Sequence, residues 1–227
     1  MPSSARYATH HSAPLDFGSI GVHPPLSAPG QRIGLLGGSF NPAHEGHVEI
    51  SQYALKRLRL DQVWWLVSPG NPLKSHAGLD GTGQRLQAAR GMAARDRRIA
   101  VTGFEAELPS AFTASTLAFL RRRHPATKFV WLMGADCLVS FHRWRDWRGI
   151  LDSMPVAVID RPGWRLRGLS SKAAARYRGH MLPETRAGLL ASRTAPAWTF
   201  LTAPLSPLSS TALRASGRAA INPHPKA

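Results

Sequence analysis

The sequence is poor in the features that mark secreted, membrane-spanning and zinc-stabilised proteins. It has a single cysteine, Cys137, among 227 residues, so no disulfide can form within the chain, and a reducing compartment suits it. Zinc is disfavoured as well, because there is no cysteine cluster and the histidines are scattered. No apolar run reaches the roughly 18 residues that a transmembrane helix needs. The start of the chain also lacks the continuous apolar core of a secretory signal. We therefore expect a cytoplasmic protein without a membrane anchor.

Acidic residues are scarce relative to basic ones. The chain carries 13 Asp and Glu against 29 Lys and Arg, which gives a formal net charge of +16. Such an excess suits nucleic acid, an anionic surface or a substrate that carries phosphates. The cations are spread along the chain, and the densest block, residues 161–193, has no run of interleaved aromatic side chains for stacking bases. A nucleic-acid partner is therefore disfavoured, while a solvated arginine-rich surface and a phosphate-binding protein both remain open.

Length and local composition indicate one domain with two unstructured ends. Residues 1–30 mix Ser, Pro, Gly, Ala and His without periodicity, which predicts a disordered leader. Residues 216–227 have a similar composition and are expected to form a flexible tail. The intervening residues 31–215 are long enough for one domain with a sizeable core.

Short apolar runs alternate with helical patterns throughout this domain. Helices are predicted from near His47, over residues 84–95, from near Thr113 and over residues 171–177. The rest of the arginine-rich block beyond residue 161 is poorly patterned and is expected to be irregular. Strands are predicted at residues 33–36, 62–67, 99–101, 128–133, 154–160 and 197–201. The alternation predicts an α/β fold, a Rossmann-like doubly wound parallel sheet with helices on both faces.

The first strand runs into a segment whose layout suits a phosphate group. Gly37 and Gly38 follow the apolar run, and a Ser-Phe-Asn-Pro turn leads to the next helix. Glycine lets a ligand approach the backbone closely, and a helix N-terminus offers unpaired N–H donors. His44 and His47 lie three residues apart at the helix entrance, so both rings can face one small volume. Taken singly, the turn and the histidines are more often structural than functional.

The combined pattern G-G-S-F-N-P-x-H-x-G-H resembles the signature of HxGH-type nucleotidyltransferases, a superfamily that includes the adenylyltransferases of NAD and coenzyme A synthesis. The resemblance implies that ATP contacts the glycine turn and both histidines, with His47 favoured at the reacting centre. The residues it assigns to ATP here are Gly37, Gly38, Ser39, Phe40, His44 and His47.

Two further motifs of the same superfamily extend the predicted ATP site. Gly134-Ala135-Asp136 closes the strand at 128–133 and resembles the family's G-x-D motif, which places Asp136 beside the nucleotide or its metal-bound phosphates. An aspartate that only caps the next helix is the alternative. Ser209, Ser210, Thr211 and Arg214 resemble the I-S-S-T-x-[IL]-R segment, which implies contacts to the triphosphate, although Ser-Ser-Thr is also an ordinary helix cap.

Other segments resemble the nicotinate-nucleotide adenylyltransferase branch, whose members join AMP to nicotinate mononucleotide. Asn71 and Lys74 occupy a loop after the second strand, where a simple solvated lysine is the alternative. Phe112 and Thr113 resemble a Ser-Tyr-Thr segment that lies against the pyridine nucleotide, although Thr113 could be a plain N-cap. Trp144, in an F-x-x-W pattern, would stack on the cationic nicotinate ring. An apolar strand ending in Arg161-Pro162-Gly163 resembles a segment of the wider family, without an assigned role.

The implied reaction is ATP plus nicotinate mononucleotide giving deamido-NAD and pyrophosphate. The attacking group is an already ionised phosphate, so no side chain has to remove a proton. Catalysis would rest on His44, His47, Lys74 and Arg214, which align two anions and stabilise the departing pyrophosphate. Mg²⁺ would enter with ATP, without a protein metal site of its own. The same chemistry on nicotinamide mononucleotide or phosphopantetheine remains open, as does a basic nucleic-acid-binding protein. The sequence predicts no oligomeric state.

Overall fold

The computed structural model describes residues 24–69, 80–110 and 112–203. In this part of the chain seven strands join into one sheet. They are β1 (Arg32–Gly38), β2 (Gln62–Val67), β3 (Ile99–Thr102), β4 (Lys128–Gly134), β5 (Val156–Ile159), β6 (Met181–Leu182) and β7 (Trp198–Leu201).

The strand order makes this a doubly wound sheet. The order across the sheet is β3-β2-β1-β4-β5-β7-β6, and every neighbouring pair is parallel. The chain moves outward from β1 to β3 and then returns to the other side of β1 with β4. The carboxyl ends of β1 and β4 therefore flank the point at which the direction of winding reverses, and open α/β sheets bind their ligands at such points.

Helices cover both faces of the sheet. In the described residues they are α1 (Glu45–Arg57), α2 (Thr82–Ala93), α3 (Thr113–Arg123), α4 (Ala135–Ser140), α5 (Trp147–Ser153), α6 (Arg165–Leu169) and α7 (Lys172–Arg176), with 3₁₀ segments at Phe104–Glu107, Phe141–Arg143, Arg178–His180 and Glu184–Ser192. One face packs against α1, α2 and the 3₁₀ segment Glu184–Ser192. The other packs against α3, α4, α5 and α7.

Alternation along the central strands explains why both faces can be covered. In β2, Trp64 and Leu66 belong to the core cluster under α3, while Val63 and Trp65 belong to the cluster under α1. All four side chains are 0% exposed. A strand that is apolar on both faces needs a helix layer on each, which is the doubly wound arrangement. The predicted fold class is thus confirmed.

Element boundaries agree with the prediction to within a few residues in most places. The first helix begins at Glu45 rather than near His47, and the predicted helix 84–95 lies at Thr82–Ala93. The expectation of irregular chain around the helix at 171–177 was wrong, because α6, β6 and the 3₁₀ segment Glu184–Ser192 also lie in this block. None of the helices in the described ranges is long and apolar enough to cross a bilayer.

Residues 24–30, which the sequence analysis placed in the leader, lie against the domain. The hydroxyl of Ser27 is 2.9 Å from Nδ1 of His124 and 2.8 Å from the hydroxyl of Thr127. The N–H of Gly30 donates to the carbonyl of Ala126 at 2.7 Å. These bonds fasten the segment to the connection between α3 and β4. The remaining leader, residues 1–23, and the predicted tail lie outside the described residues, so the division into domains stays a prediction.

Candidate active site

The predicted site residues of the first motif lie at the carboxyl end of β1, where the winding of the sheet reverses. Gly37 and Gly38 end the strand, and His44 is the N-cap residue of α1. The next strand in the sheet, β4, ends at Gly134, and α4 follows it without a connecting loop. Two helix N-termini therefore point their unpaired backbone donors toward the same edge of the sheet.

The two histidines are in contact with each other. Their ring centroids are 3.9 Å apart, and the backbone N–H of His44 donates to Nδ1 of His47 at 3.2 Å. This bond makes Nδ1 of His47 an acceptor and leaves its proton on Nε2 in the neutral ring. Nδ1 of His44 is buried and has no hydrogen-bond partner among the described residues. A buried polar atom in this state needs a partner, and a bound anion could supply it.

Both imidazoles are neutral at physiological pH in this structure. Burial, reinforced by the positive charge of Arg161, lowers the pKa of His44 to about 4. Burial also lowers the pKa of His47, and the nearby His44 and Arg161 act in the same direction. A negatively charged ligand at this position would oppose the effect of Arg161 and raise both pKa values.

The glycine turn is shaped by the aromatic side chains beneath it. A Cβ atom on Gly37 would lie 2.5 Å from Cη2 of Trp131, so only glycine fits there. Phe40 has a φ of 47°, in the left-handed region, and its ring is 1% exposed. That ring stacks on Trp65 at 5.0 Å and lies 4.7 Å from the ring of His47. The side chain of Phe40 is therefore core, and contact with ATP, as the sequence predicted, could involve only its backbone.

Asp136 and Arg161 meet at the end of β4. Oδ2 of Asp136 lies 3.6 Å from Nη1 of Arg161, and Oδ1 of Asp136 is buried without a hydrogen-bond partner in the described part of the chain. Gly134 has no room for a Cβ atom, which would overlap Asp136 Oδ1 and lie 3.0 Å from Cδ of Arg161. The alternative of Asp136 as a helix cap is wrong, because Gly134 is the N-cap residue and Asp136 lies in the first turn of α4.

Three of the residues predicted to contact nicotinate mononucleotide, Phe112, Thr113 and Trp144, lie in the described part of the chain. Phe112 is the N-cap residue of α3 and Thr113 is its first helical residue, so the alternative of Thr113 as the N-cap is wrong. The guanidinium of Arg145 lies 4.8 Å above the ring of Phe112. Trp144, next to Arg145 in the chain, packs edge-on against Phe141 at 5.2 Å and remains partly exposed. The structure therefore brings the segments of Phe112 and Trp144 together.

Comparison with known proteins identifies the family. The family model described as cytidylyltransferase-like matches residues 35–216, most of the chain. This chain belongs to the cytidylyltransferase-like family. A protein of Methylorubrum extorquens named probable nicotinate-nucleotide adenylyltransferase is 58% identical to this chain, in an alignment that covers 81% of this chain and 98% of the relative. A protein of the same name from Cereibacter sphaeroides is 55% identical, in an alignment that covers 82% of this chain and 97% of the relative.

A solved structure supports the fold of this cytidylyltransferase-like chain. The nicotinic acid mononucleotide adenylyltransferase of Plasmodium falciparum, in complex with NaAD, superposes with a TM-score of 0.63 at 15% identity, over 82% of this chain and 83% of that one. A second structure of the Plasmodium enzyme, in complex with APC, gives a TM-score of 0.62 at 14% identity, over 82% and 83% of the two chains. Identity this low supports the fold, whereas the bacterial relatives carry the family assignment.

Six of the predicted site residues fall outside the described part of this cytidylyltransferase-like chain. They are Asn71, Lys74, Ser209, Ser210, Thr211 and Arg214. Their roles stay predictions. Within the described ranges, no three His, Cys, Asp or Glu side chains converge in a way that could hold a metal ion. Mg²⁺ as the companion of ATP likewise stays a prediction.

The structure adds two cations that the sequence analysis did not assign to the site. Arg161 influences both histidines and pairs with Asp136. Its sequence signal was the Arg-Pro-Gly segment directly after an apolar strand, since residues at the carboxyl ends of parallel strands share one edge. Arg145 had a weaker signal, its position beside Trp144. In a chain with 29 Lys and Arg, no composition-based argument could single out either residue.

Proposed function

We propose that this chain transfers the AMP group of ATP to nicotinate mononucleotide, releasing pyrophosphate and forming deamido-NAD, in the biosynthesis of NAD. The observation that carries the proposal is the pair of neutral imidazoles, 3.9 Å apart, at the glycine turn where the winding reverses. The choice of acceptor is supported by the names of relatives that share 50–58% identity with this chain. ATP-dependent synthesis of a dinucleotide also favours a cytoplasmic location.

The reaction is a single displacement at phosphorus. A phosphate oxygen of nicotinate mononucleotide bonds to the α-phosphorus of ATP, and the bond from that phosphorus to the bridging oxygen breaks. Pyrophosphate leaves with the bonding electrons, and the attacking oxygen carries no proton that must be removed. The protein therefore has to align two anions and offset the charge that grows on the leaving group.

Residues of the first motif and of the segment after β5 supply the donors for the phosphates. Neutral His47 holds its proton on Nε2 and can donate it to a phosphate oxygen, and His44 can donate from its unpartnered Nδ1 in the tautomer that carries the proton there. Arg161 adds a fixed positive charge beside them. Lys74 and Arg214 would add further cations, as the family motif implies. As ATP binds, its charge raises the imidazole pKa values, which strengthens these bonds.

Mg²⁺ fits this site as a partner of the triphosphate. Oδ1 of Asp136 is a buried carboxylate oxygen without a hydrogen-bond partner in the described residues, and carboxylate oxygens are preferred ligands of this ion. Bound Mg²⁺ would neutralise charge on the phosphates. Asp136 would hold it directly or through one of its waters, and Arg161 would keep the carboxylate in place.

The nicotinate ring would bind between α3 and the turn that carries Trp144. The indole of Trp144 is partly exposed and offers a face to a cationic pyridinium ring. Phe112 and Thr113 would border the ring from the N-terminus of α3, whose free N–H groups suit the nicotinate carboxylate. A neutral carboxamide would gain less from these donors, which favours nicotinate over nicotinamide mononucleotide.

One assay tests the proposal directly. Pyrophosphate release is measured with ATP and a panel of acceptors: nicotinate mononucleotide, nicotinamide mononucleotide and phosphopantetheine. We expect turnover with nicotinate mononucleotide and its loss in the His44→Asn/His47→Asn double variant. The matched control is His180→Asn, because His180 is exposed on the 3₁₀ turn Arg178–His180. Turnover of another acceptor in preference would change the substrate, and full activity of the double variant would overturn the mechanism.

A further inference from the structure

A buried arginine outside the predicted site contacts the glycine turn, the segment from Gly37 to Phe40. Arg85 lies in the first turn of α2 and is 2% exposed. It shares the buried side of this helix with Ala89 and Ala93, at helical spacing. Arginine is almost never fully buried unless its charge and donors are compensated. The compensation at Arg85 therefore indicates what this side chain does.

All five N–H donors of the guanidinium are matched by protein oxygens. Nη1 donates to the carbonyl of Ser39 at 2.6 Å and to the carbonyl of Ser68 at 2.8 Å. Nη2 donates to the carbonyl of Pro69 at 3.2 Å and to the hydroxyl of Thr82 at 3.0 Å, and Nε donates to the carbonyl of Asp80 at 2.9 Å. An arginine has five such donors, so none is left for another partner.

These acceptors connect parts of the chain that are remote in sequence. Ser39 belongs to the glycine turn after β1, and Ser68 and Pro69 follow the neighbouring strand β2. Ion pairs in the described residues involve six other arginines, whereas Arg85 is held by four carbonyls and a hydroxyl. A carbonyl oxygen accepts a hydrogen bond only when the carbonyl is directed toward the donor, so this guanidinium fixes the orientation of the peptide groups around it.

The peptide between Ser39 and Phe40 carries the backbone N–H of Phe40, the donor that this residue could offer to ATP because its ring is buried in the core. It is trans, so its C=O and N–H groups point in opposite directions. Holding the carbonyl of Ser39 on Arg85 turns the N–H of Phe40 away from the arginine. Phe40 also keeps a φ of 47°, which is uncommon for a residue with a side chain and persists only where its surroundings impose it. Arg85 and the stacking of Phe40 on Trp65 together impose this turn.

We propose that Arg85 is a positioning residue for the reaction, whose guanidinium fixes the Ser39–Phe40 peptide so that the glycine turn is shaped for the ATP phosphates before ATP binds. The inference rests on the proposed function. It differs from a purely structural role, in which Arg85 would stabilise the packing of α2 without affecting ligand affinity. The two roles make different predictions for ATP and for nicotinate mononucleotide.

Substitution by lysine separates orientation from charge. Arg85→Lys keeps a buried cation, but an ammonium has three donors and cannot orient five acceptors. We expect the dissociation constant of ATP to rise by about tenfold, the size expected when about one hydrogen bond to a charged group is lost. The KM for nicotinate mononucleotide should change far less. Arg90→Lys is the matched control, since Arg90 is exposed on the same helix.

Chemical rescue provides a second measurement, whose result would not change if Arg85 served only to pack α2. Arg85→Ala leaves a space lined by the same carbonyl oxygens, and added guanidinium ion at millimolar concentration should restore part of the ATP affinity. The same concentration of ammonium or sodium chloride should not. ATP binding is measured by calorimetry, so this test does not require turnover, and thermal unfolding reports whether each variant is folded.

The possible outcomes separate the proposals. Weaker ATP binding by folded Arg85→Lys, with little change for nicotinate mononucleotide, supports positioning by Arg85. Unchanged ATP affinity, an equal loss for both substrates, or a lysine variant that does not fold overturns it. A wild-type protein that binds no ATP would instead refute the proposed function.

Discussion

Acid should destabilise this protein through its two buried histidines, and the part that depends on His44 can be measured with one substitution. The pKa of His44 is about 4 in the folded chain, against an ordinary value of 6.5 for a histidine, so between these values the unfolded chain binds more protons than the folded one. The free energy of unfolding must then decrease as the pH falls through this window. His44→Asn removes the titrating group and retains a good N-cap residue for α1.

The size of the effect follows from the two pKa values. Linkage for one group with pKa values of about 4 and 6.5 gives a loss of about 2 kcal/mol between pH 7.5 and pH 5, and about 3 kcal/mol by pH 4. Glu105 acts with the opposite sign in part of this window, because burial raises the pKa of its carboxyl. Asp96, whose pKa is lowered to about 2, loses its stabilising effect only at lower pH. Both contributions are the same in the wild type and the variant, so they cancel in the difference.

The measurement is urea denaturation of both proteins at a series of pH values from about 7.5 to about 4.5. The midpoint and slope give the free energy of unfolding at each pH. We expect the wild type to lose about 2 kcal/mol more than His44→Asn by pH 5. Parallel curves for the two proteins would refute the argument, since they would show that His44 is not held neutral by its surroundings. The slope must stay constant, because a change in slope would indicate a change in the denatured state.

Three further predictions concern ATP binding and the stability of two buried positions. Binding of ATP should take up protons at pH 6, because its phosphates raise the pKa values of His44 and His47. Calorimetry in two buffers of different ionisation enthalpy measures this uptake, and equal binding enthalpies in the two buffers would contradict it. Gly37→Ala should cost about 1–3 kcal/mol of stability, because the new methyl group would meet the Trp131 ring. The control, Gly91→Ala in α2, meets no atom within 4 Å and should be neutral or slightly stabilising. Glu105→Gln should gain stability relative to the wild type as the pH rises above 4.5, the ordinary pKa of a glutamate, because burial raises the pKa of the wild-type carboxyl in the fold and the unfolded chain therefore ionises first. A stability difference that does not change with pH would contradict this.

Much of the fold could be predicted because its strands are apolar on both faces. Such runs as β2, with Val63 to Val67 fully buried, have a length and composition that few other elements share. The elements that were missed carry no comparable pattern. β6 has two residues, and α6 has five, three of which are Arg or Gly. Elements of this length are formed by their neighbours in the tertiary structure, so a periodicity argument has nothing to detect.

The contact between the two histidines could be predicted from their local spacing. His44 and His47 lie three residues apart at a helix entrance, so their rings were expected to share one space, and the structure places them in contact. Arg85 and Arg161 act over long sequence separations, on Ser39 and on the two histidines. Composition alone does not distinguish them from the other cations of a basic chain. For Arg85 one signal existed, a cation on the apolar side of a helix with Ala89, and such a residue requires an explanation.

Neutral imidazoles suit this site better than permanent charges would. A lysine at position 44 would be buried beside Arg161 with no anion present, and burial and repulsion would both oppose its charge. The imidazole of His44 avoids that cost because it is uncharged at neutral pH while no anion is bound. In the proposed reaction its proton affinity would rise with the negative charge of the phosphates, which would be greatest as pyrophosphate separates from the α-phosphorus. A donor that becomes stronger as charge develops stabilises the transition state more than the bound substrate, and only this difference accelerates the chemical step.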